Sequence, residues 1–197
     1  MAEGAGREGR AAVRGGGCVH RLETARLRME PFDDEHLDAL HALWIDADVR
    51  RYLWDDEVIS RERAQGVIER SRACFAERGY GFWSLLLREA PDRLMGFCGF
   101  RPFEETGEPE LLYASLPRHW GKGLVTEAAH AAIVDGFERC GFTRIVAATD
   151  TPNQASVEVM KRLGMVFERR GEFHGLDTVF YSLTPEDYAD HLALSRA

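Results

Sequence analysis

PELLYASLPRHWGKGLVTEA, residues 109–128, runs from a strand-like segment through two glycines one residue apart into residues that favour a helix. A helix start leaves four backbone N–H groups without partners and carries the positive end of the helix dipole, so it attracts anions such as phosphate. Gly121 and Gly123 permit positive φ and close approach of the backbone, and Arg118 and Lys122 add positive charge. Together they suit a pyrophosphate. A dinucleotide-binding fingerprint would need a third small residue where Thr126 stands, and it would sit in the first strand-helix unit. A P-loop would need GxxxxGK followed by Ser or Thr. Neither pattern is present, which leaves RxxGxG after a strand and at the head of a helix.

Outward from this stretch, the periodicities sort the chain into two halves. Before it, RLETARLRMEPF (21–32) reads as an irregular first strand, and Asp33 or Asp34 opens a helix with Leu37, Leu40, Leu43, Trp44 and Ala47 on one face. Ser60 opens a second helix, with Ala64, Val67, Ile68, Ser71, Cys74 and Phe75 inside and Gly79 beyond its end. Three strand-like runs follow, GFWSLLLRE, RLMGFCGFRPF and ELLYASL, separated by APD and by residues 104–109, which predicts an antiparallel meander. After the loop, residues 123–140 read as a helix, RIVAAT as a short buried strand, and residues 153–163 as a helix closed by Gly164. That alternation predicts a crossover between parallel strands. MVFERRGEF and DTVFYSL form a hairpin around residues 173–176, and a last helix starts at Thr184 with Pro185 in its first position. The expected architecture is α+β: a mixed, mostly antiparallel sheet of six or seven strands with helices on both faces. The loops 46–60 and 103–109 are left to form a pocket.

At 197 residues the chain suits one domain, expected over 21–197, behind a disordered leader at 1–20 whose Gly- and Arg-rich sequence lacks the apolar stretch of a secretory signal. A net charge of −8 argues against a nucleic-acid partner and suits a cationic one. No apolar run is long enough to span a bilayer. The four cysteines lie far apart without a CxxC pair, so neither a metal site nor a disulfide framework is expected; reduced thiols point to the cytoplasm.

RxxGxG at 118–123, joined to NQAS (153–156) some thirty residues later between a strand and a Gly-capped helix, resembles the acyl-coenzyme A site of the GCN5-related N-acetyltransferase (GNAT) superfamily. The likeness covers nearly the whole chain after about residue 20. LETARLRMEPFDDEHLDAL is similar to that family's first strand and helix, GFWSLLL and MGFCGF to its second and third strands, and NQASVEVMKRLGMVFE to the helix and turn after its fifth. Within the superfamily, the wording is closest to the ribosomal-protein N-terminal (RimJ/RimL-like) branch.

The resemblance implies acetyl-CoA as co-substrate and a primary amine as acceptor, either a protein N-terminus or a small molecule, on a monomer or a homodimer with no metal. It implies that the fourth and fifth strands splay, and that the pantetheine arm lies along the edge at Ala114, Ser115 and Leu116. Backbone N–H groups from His119 through Trp120, Gly121, Lys122 and Gly123 to Leu124 would hold the pyrophosphate, with Arg118 adding charge. Asn153 would bond the pantetheine amides as well as capping its helix. Glu110 would act as base on the amine through water, and Ser156 would meet the departing thiolate. Trp83 and Tyr113 are candidates for the acceptor pocket, though strand aromatics are more often core. Two readings stay open: an N-acyltransferase working by direct attack, and an acyl-CoA-binding module without turnover.

Overall fold

The computed structural model describes residues 20–194. The expected leader therefore lies outside the described residues except for its last member, His20, whose ring Nε2 sits 2.6 Å from Asp135 Oδ1 and which belongs to the folded body.

Among the described residues the sheet has eight strands in the order β1-β2-β3-β4-β5-β6-β8-β7. The expected count was six or seven, and the extra strand arises because the first run is broken. β1 (Leu22–Glu23) folds back on β2 (Leu27–Pro31). The turn between them is held by Thr24, whose Oγ1 accepts from Leu27 N at 2.9 Å. β3 (Phe82–Leu87), β4 (Ala90–Pro102) and β5 (Pro109–Ser115) complete the meander. The APD expected as a connector lies inside β4, because the hairpin turns earlier, at residues 88–89. β6 (Ile145–Asp150) runs parallel to β5, and β7 (Val166–Phe173) and β8 (Leu176–Leu183) close the far edge.

Helices α1 (Leu37–Trp44) and α3 (Arg61–Arg78) cover one face, burying Leu40, Leu43, Trp44 and Ile68 against Phe32, Phe82 and Phe97. On the other face α4 (Leu124–Glu138) and α5 (Gln154–Arg162) pack on Met29, Trp83, Leu85, Met95 and Leu111. Ala128, Ala129 and Ala132 of α4 are fully buried, and their small side chains let this helix lie close to the strands. The caps follow the sequence. Ser60 Oγ accepts from Arg63 N at 3.2 Å, and Gly79 ends α3 at φ 81°. α6 (Pro185–Leu194) closes the chain.

One helix was not expected. α2 (Ala47–Leu53) occupies the segment read as a loop, and Ala47, placed in the first helix, begins it. Asp46 accepts from the N–H groups of Asp48 and Val49 and so separates α1 from α2.

Candidate active site

The loop between β5 and α4 takes its shape from local hydrogen bonds. A single 3-10 turn, Pro117–His119, has its His119 and Trp120 N–H groups bonded to the carbonyls of Leu116 and Pro117. These two amides are spent inside the turn, which corrects the expectation that anion-binding N–H groups begin at His119. Beyond it, Gly121 at φ 71° and Gly123 at φ 70° turn the backbone into α4. The N–H groups of Gly121, Lys122 and Gly123 have no backbone partner among the described residues, and the first turn of α4 adds its own unpaired donors. Arg26 braces the loop from below: its Nη1 donates to the Lys122 carbonyl at 2.9 Å and its Nε to Glu127 at 2.6 Å. The Trp120 indole N–H donates to the Ser115 carbonyl at 2.8 Å, tying the loop to the end of β5.

His119 contributes a side chain instead of an amide. Its Nε2 accepts from Arg118 Nε, so the ring proton of the neutral form lies on Nδ1, which is shielded from solvent and has no acceptor among the described residues. Burial, with Arg118 and Lys122 nearby, lowers the pKa of this imidazole and keeps it neutral. A buried N–H donor without an acceptor, beside three free amides, fits an anionic group well.

β5 and β6 are joined by one bridge only, Glu110 to Val146, although both strands continue past it. They diverge from there. Leu116 N donates to Met95 O at 2.9 Å, and the β4–β5 register is unbroken from Ser115 back to Pro109. By the alternation of an antiparallel ladder, the backbone groups of Leu112 and Ala114 face β4, while those of Tyr113 and Ser115 face the gap. The available edge is thus Tyr113 and Ser115. Ala114 also lines the gap, and it packs with Leu116 against the apolar cluster that includes Leu40, Leu43 and Phe97.

A cavity of about 550 Å³ occupies this gap, lined among others by Tyr113, Ser115, Trp120, Gly123, Asn153 and Ser156. Asn153 caps α5, its Oδ1 accepting from Ser156 N at 3.3 Å and its Nδ2 donating to Thr149 Oγ1 at 3.0 Å. One lone pair and one N–H of the amide remain for a ligand. The Tyr113 hydroxyl reaches across to α5 and lies 3.0 Å from Ser156 Oγ and 3.1 Å from the Ser156 carbonyl.

A second cavity of about 780 Å³ lies next to the first and shares Tyr52, Leu53, Leu112, Ala148 and Thr149 with it. Glu110 is 4% exposed and lines this cavity, its Oε2 2.6 Å from Arg101 Nε. Burial raises its pKa, and Arg101 partly offsets that. Asp55 and Asp150 also line the cavity, and burial and the charge of Asp55 raise the pKa of Asp150.

The family model described as an acetyltransferase (GNAT) domain matches residues 26–166. The chain belongs to the GNAT acetyltransferase family. It is 27% identical over 180 residues to the uncharacterised N-acetyltransferase p20 of Bacillus licheniformis, spanning 87% of this chain and 99% of that one. Its fold matches the acetyltransferase from Agrobacterium tumefaciens strain C58 with a TM-score of 0.75, at 21% identity over 90% of this chain and 99% of the other. RimL, a ribosomal L7/L12 α-N-protein acetyltransferase solved with coenzyme A, superposes with a TM-score of 0.70 at 20% identity, over 84% and 98% of the two chains.

Within this GNAT domain the expected residues divide cleanly. His119, Trp120, Gly121, Gly123, Leu124, Asn153 and Ser156 line the first cavity, Arg118 and Lys122 lie exposed outside its lining, and Glu110 faces the second. Trp83 lines neither. It is fully buried, stacks edge-on against Phe75 at 5.1 Å and donates its indole N–H to the His20 carbonyl, so it is a core residue. Tyr113 was expected at the acceptor and instead points to the α5 side, because it alternates with Leu112 along β5. Cys98 is fully buried, and burial pushes its thiol far up, so it is a packing residue of the GNAT core and no nucleophile. No helix among the described residues is long and apolar enough to cross a membrane.

Proposed function

We propose that this GNAT domain transfers an acetyl group from acetyl-CoA to a primary amine by direct attack, with both substrates bound at once. The observation that carries the reading is the pair of cavities meeting at the opened β5–β6 gap, with hydroxyls on one side and a buried carboxylate on the other. Acetyl-CoA supplies the thioester. Its pyrophosphate fits the amides of Gly121–Leu124 with His119 Nδ1, Arg118 and Lys122 beside them, and its pantetheine arm fits the gap-facing Tyr113 backbone and Ser115 N–H together with Asn153.

The acceptor belongs in the second cavity. An α-amine with a pKa near 8 is partly neutral at pH 7, whereas a lysine amine near 10.4 is almost entirely charged. A base acting through water suffices for the first. Glu110 takes that role; Tyr113 lies three residues further along the strand, about 10 Å by strand rise, which leaves room for a water and the amine. Asp55 and Asp150 line the cavity's polar side and favour an acceptor that arrives as a cation. The developing negative charge on the carbonyl oxygen would meet a gap-facing N–H of Tyr113 or Ser115, and the leaving sulfur the hydroxyl of Ser156. RimL shares this fold and is named as an α-N-protein acetyltransferase. Protein N-terminal α-amines and small-molecule amines are therefore the acceptor classes we assign, with the cytoplasm as the working compartment.

Calorimetric titration with acetyl-CoA, on the unmodified protein and on Gly123→Asp, tests the loop. Tight binding is expected only without the new carboxylate, and equal affinity would overturn the assignment. Thiol release measured over a panel of peptide and small amines tests turnover; silence on every amine would leave a binding module.

A further inference from the structure

We propose that Tyr113 is a positioning residue whose hydroxyl sets the Ser156 hydroxyl to donate to the sulfur that leaves the acyl group, so that the two side chains act as one unit. The proposal rests on the acyltransferase reading above and extends it to a residue that neither the loop nor the helix motif includes.

The hydroxyl geometry carries the argument. Tyr113 has one proton and two oxygens within reach: Ser156 Oγ at 3.0 Å and the Ser156 carbonyl at 3.1 Å. A hydroxyl offers one donor and two acceptor positions, so two arrangements satisfy the pair. In one, Tyr113 donates to the carbonyl and Ser156 donates to the phenol oxygen, which spends the serine proton inside the protein. In the other, Tyr113 donates to Ser156 Oγ, and the serine proton is free to point into the cavity that both residues line. An anionic sulfur in that cavity favours the second arrangement, because a charge-assisted hydrogen bond is about twice as strong as a neutral one. The change turns two O–H bonds and moves no other heavy atom.

Two further observations fit this role. The position of Ser156 is fixed by the α5 cap, since its own N–H donates to Asn153 Oδ1. Burial raises the pKa of the Tyr113 phenol, so this group stays a donor throughout the working range and is never a base. In the transfer, the amine nitrogen bonds the acyl carbon and the C–S bond breaks with its electron pair on sulfur. Of the two protons that the ammonium form of the amine gives up, one ends on sulfur and the other in solvent. Ser156 and Tyr113 keep their own protons and stabilise the sulfur while it is anionic.

The test uses coenzyme A in its free-thiol form, with no acceptor and no turnover. The thiol of the bound molecule is titrated by its thiolate absorbance in the unmodified protein, Tyr113→Phe, Ser156→Ala and the double variant. The thiol is expected to titrate about one pH unit higher in each single variant, the scale of one charge-assisted hydrogen bond. The double variant should titrate no higher than Ser156→Ala. Affinity at low pH, where the thiol is protonated, should stay within about twofold, as Tyr113→Phe keeps the packed ring. An unchanged thiol titration in Tyr113→Phe, or shifts that add in the double variant, would overturn the proposal while leaving the acyltransferase reading intact. Failure of the unmodified protein to bind coenzyme A would remove both.

Discussion

Arg101 and Glu110 face each other across the β4–β5 register, with Arg101 Nε 2.6 Å from Glu110 Oε2. The carboxylate is almost wholly buried and the guanidinium is not, so burial raises the Glu110 pKa and Arg101 limits the rise. A base works when deprotonated, so kcat/KM should climb with pH through the raised pKa of Glu110. Arg101→Gln removes the opposing charge and should move that limb to higher pH. The sign for stability is the reverse. The folded state holds this proton more tightly than the unfolded chain, so stability from this group is greatest below the unfolded pKa and falls as pH rises through the folded one. Arg101→Gln should therefore lose most stability at neutral pH and recover it on acidification, which pH–rate profiles and pH-dependent melting would show.

Trp120 is half exposed, so its value to the fold is small, yet its indole N–H fixes the Ser115 carbonyl at the gap. Trp120→Phe should weaken acetyl-CoA binding about fivefold, the equivalent of roughly 1 kcal/mol for one neutral hydrogen bond. The melting temperature should barely move. Calorimetry and thermal melts on the same variant separate the two effects.

Gly123 sits at φ 70°, and a Cβ there would meet nothing closer than Arg26 Nη2 at 3.8 Å. Gly123→Ala therefore introduces backbone strain without a clash. A loss of about 1 kcal/mol in stability is expected from denaturant unfolding, since a side chain in this region costs roughly 1–2 kcal/mol.

Gly96 is a different case. Its added Cβ would fall 2.3 Å from the Ala114 carbonyl oxygen and 2.9 Å from Ser115 Cα, both backbone atoms of β5. Gly96→Ala must push β5 toward the gap. We expect destabilisation of about 1–3 kcal/mol, the range of overpacked cores, in denaturant unfolding, together with a loss of acetyl-CoA affinity in calorimetry as the β5 edge shifts into the gap.

Much of this was legible in the sequence wherever a local rule governs the outcome. Helical spacing at Leu37, Leu40 and Leu43, the caps at Ser60 and Asn153, and the paired glycines at 121 and 123 depend on neighbours within a turn or two. The break between β1 and β2 rests instead on how Thr24 and Arg26 dock against Glu127, a partner a hundred residues away. Helix α2 had a readable signal, because Asp46 is a good cap, but its seven residues show too little periodicity beside that of α1. The side that Tyr113 faces could have been read from its alternation with Glu110 and Leu112. The free Nδ1 of His119 could not, since it exists only once Arg118 has folded over the ring.

The single bridge at Glu110–Val146 also has a mechanical meaning. In an ordinary sheet the central ladder is the last part to open, and its amides are the slowest to exchange with solvent. Here the middle of the sheet is a seam. β1 to β5 form one panel and β6 to β8 another, and between them the helices must supply the cohesion that a ladder would give. A ligand bonded to both sides of the seam becomes the missing rung, and its binding energy is added to the stability of the folded chain.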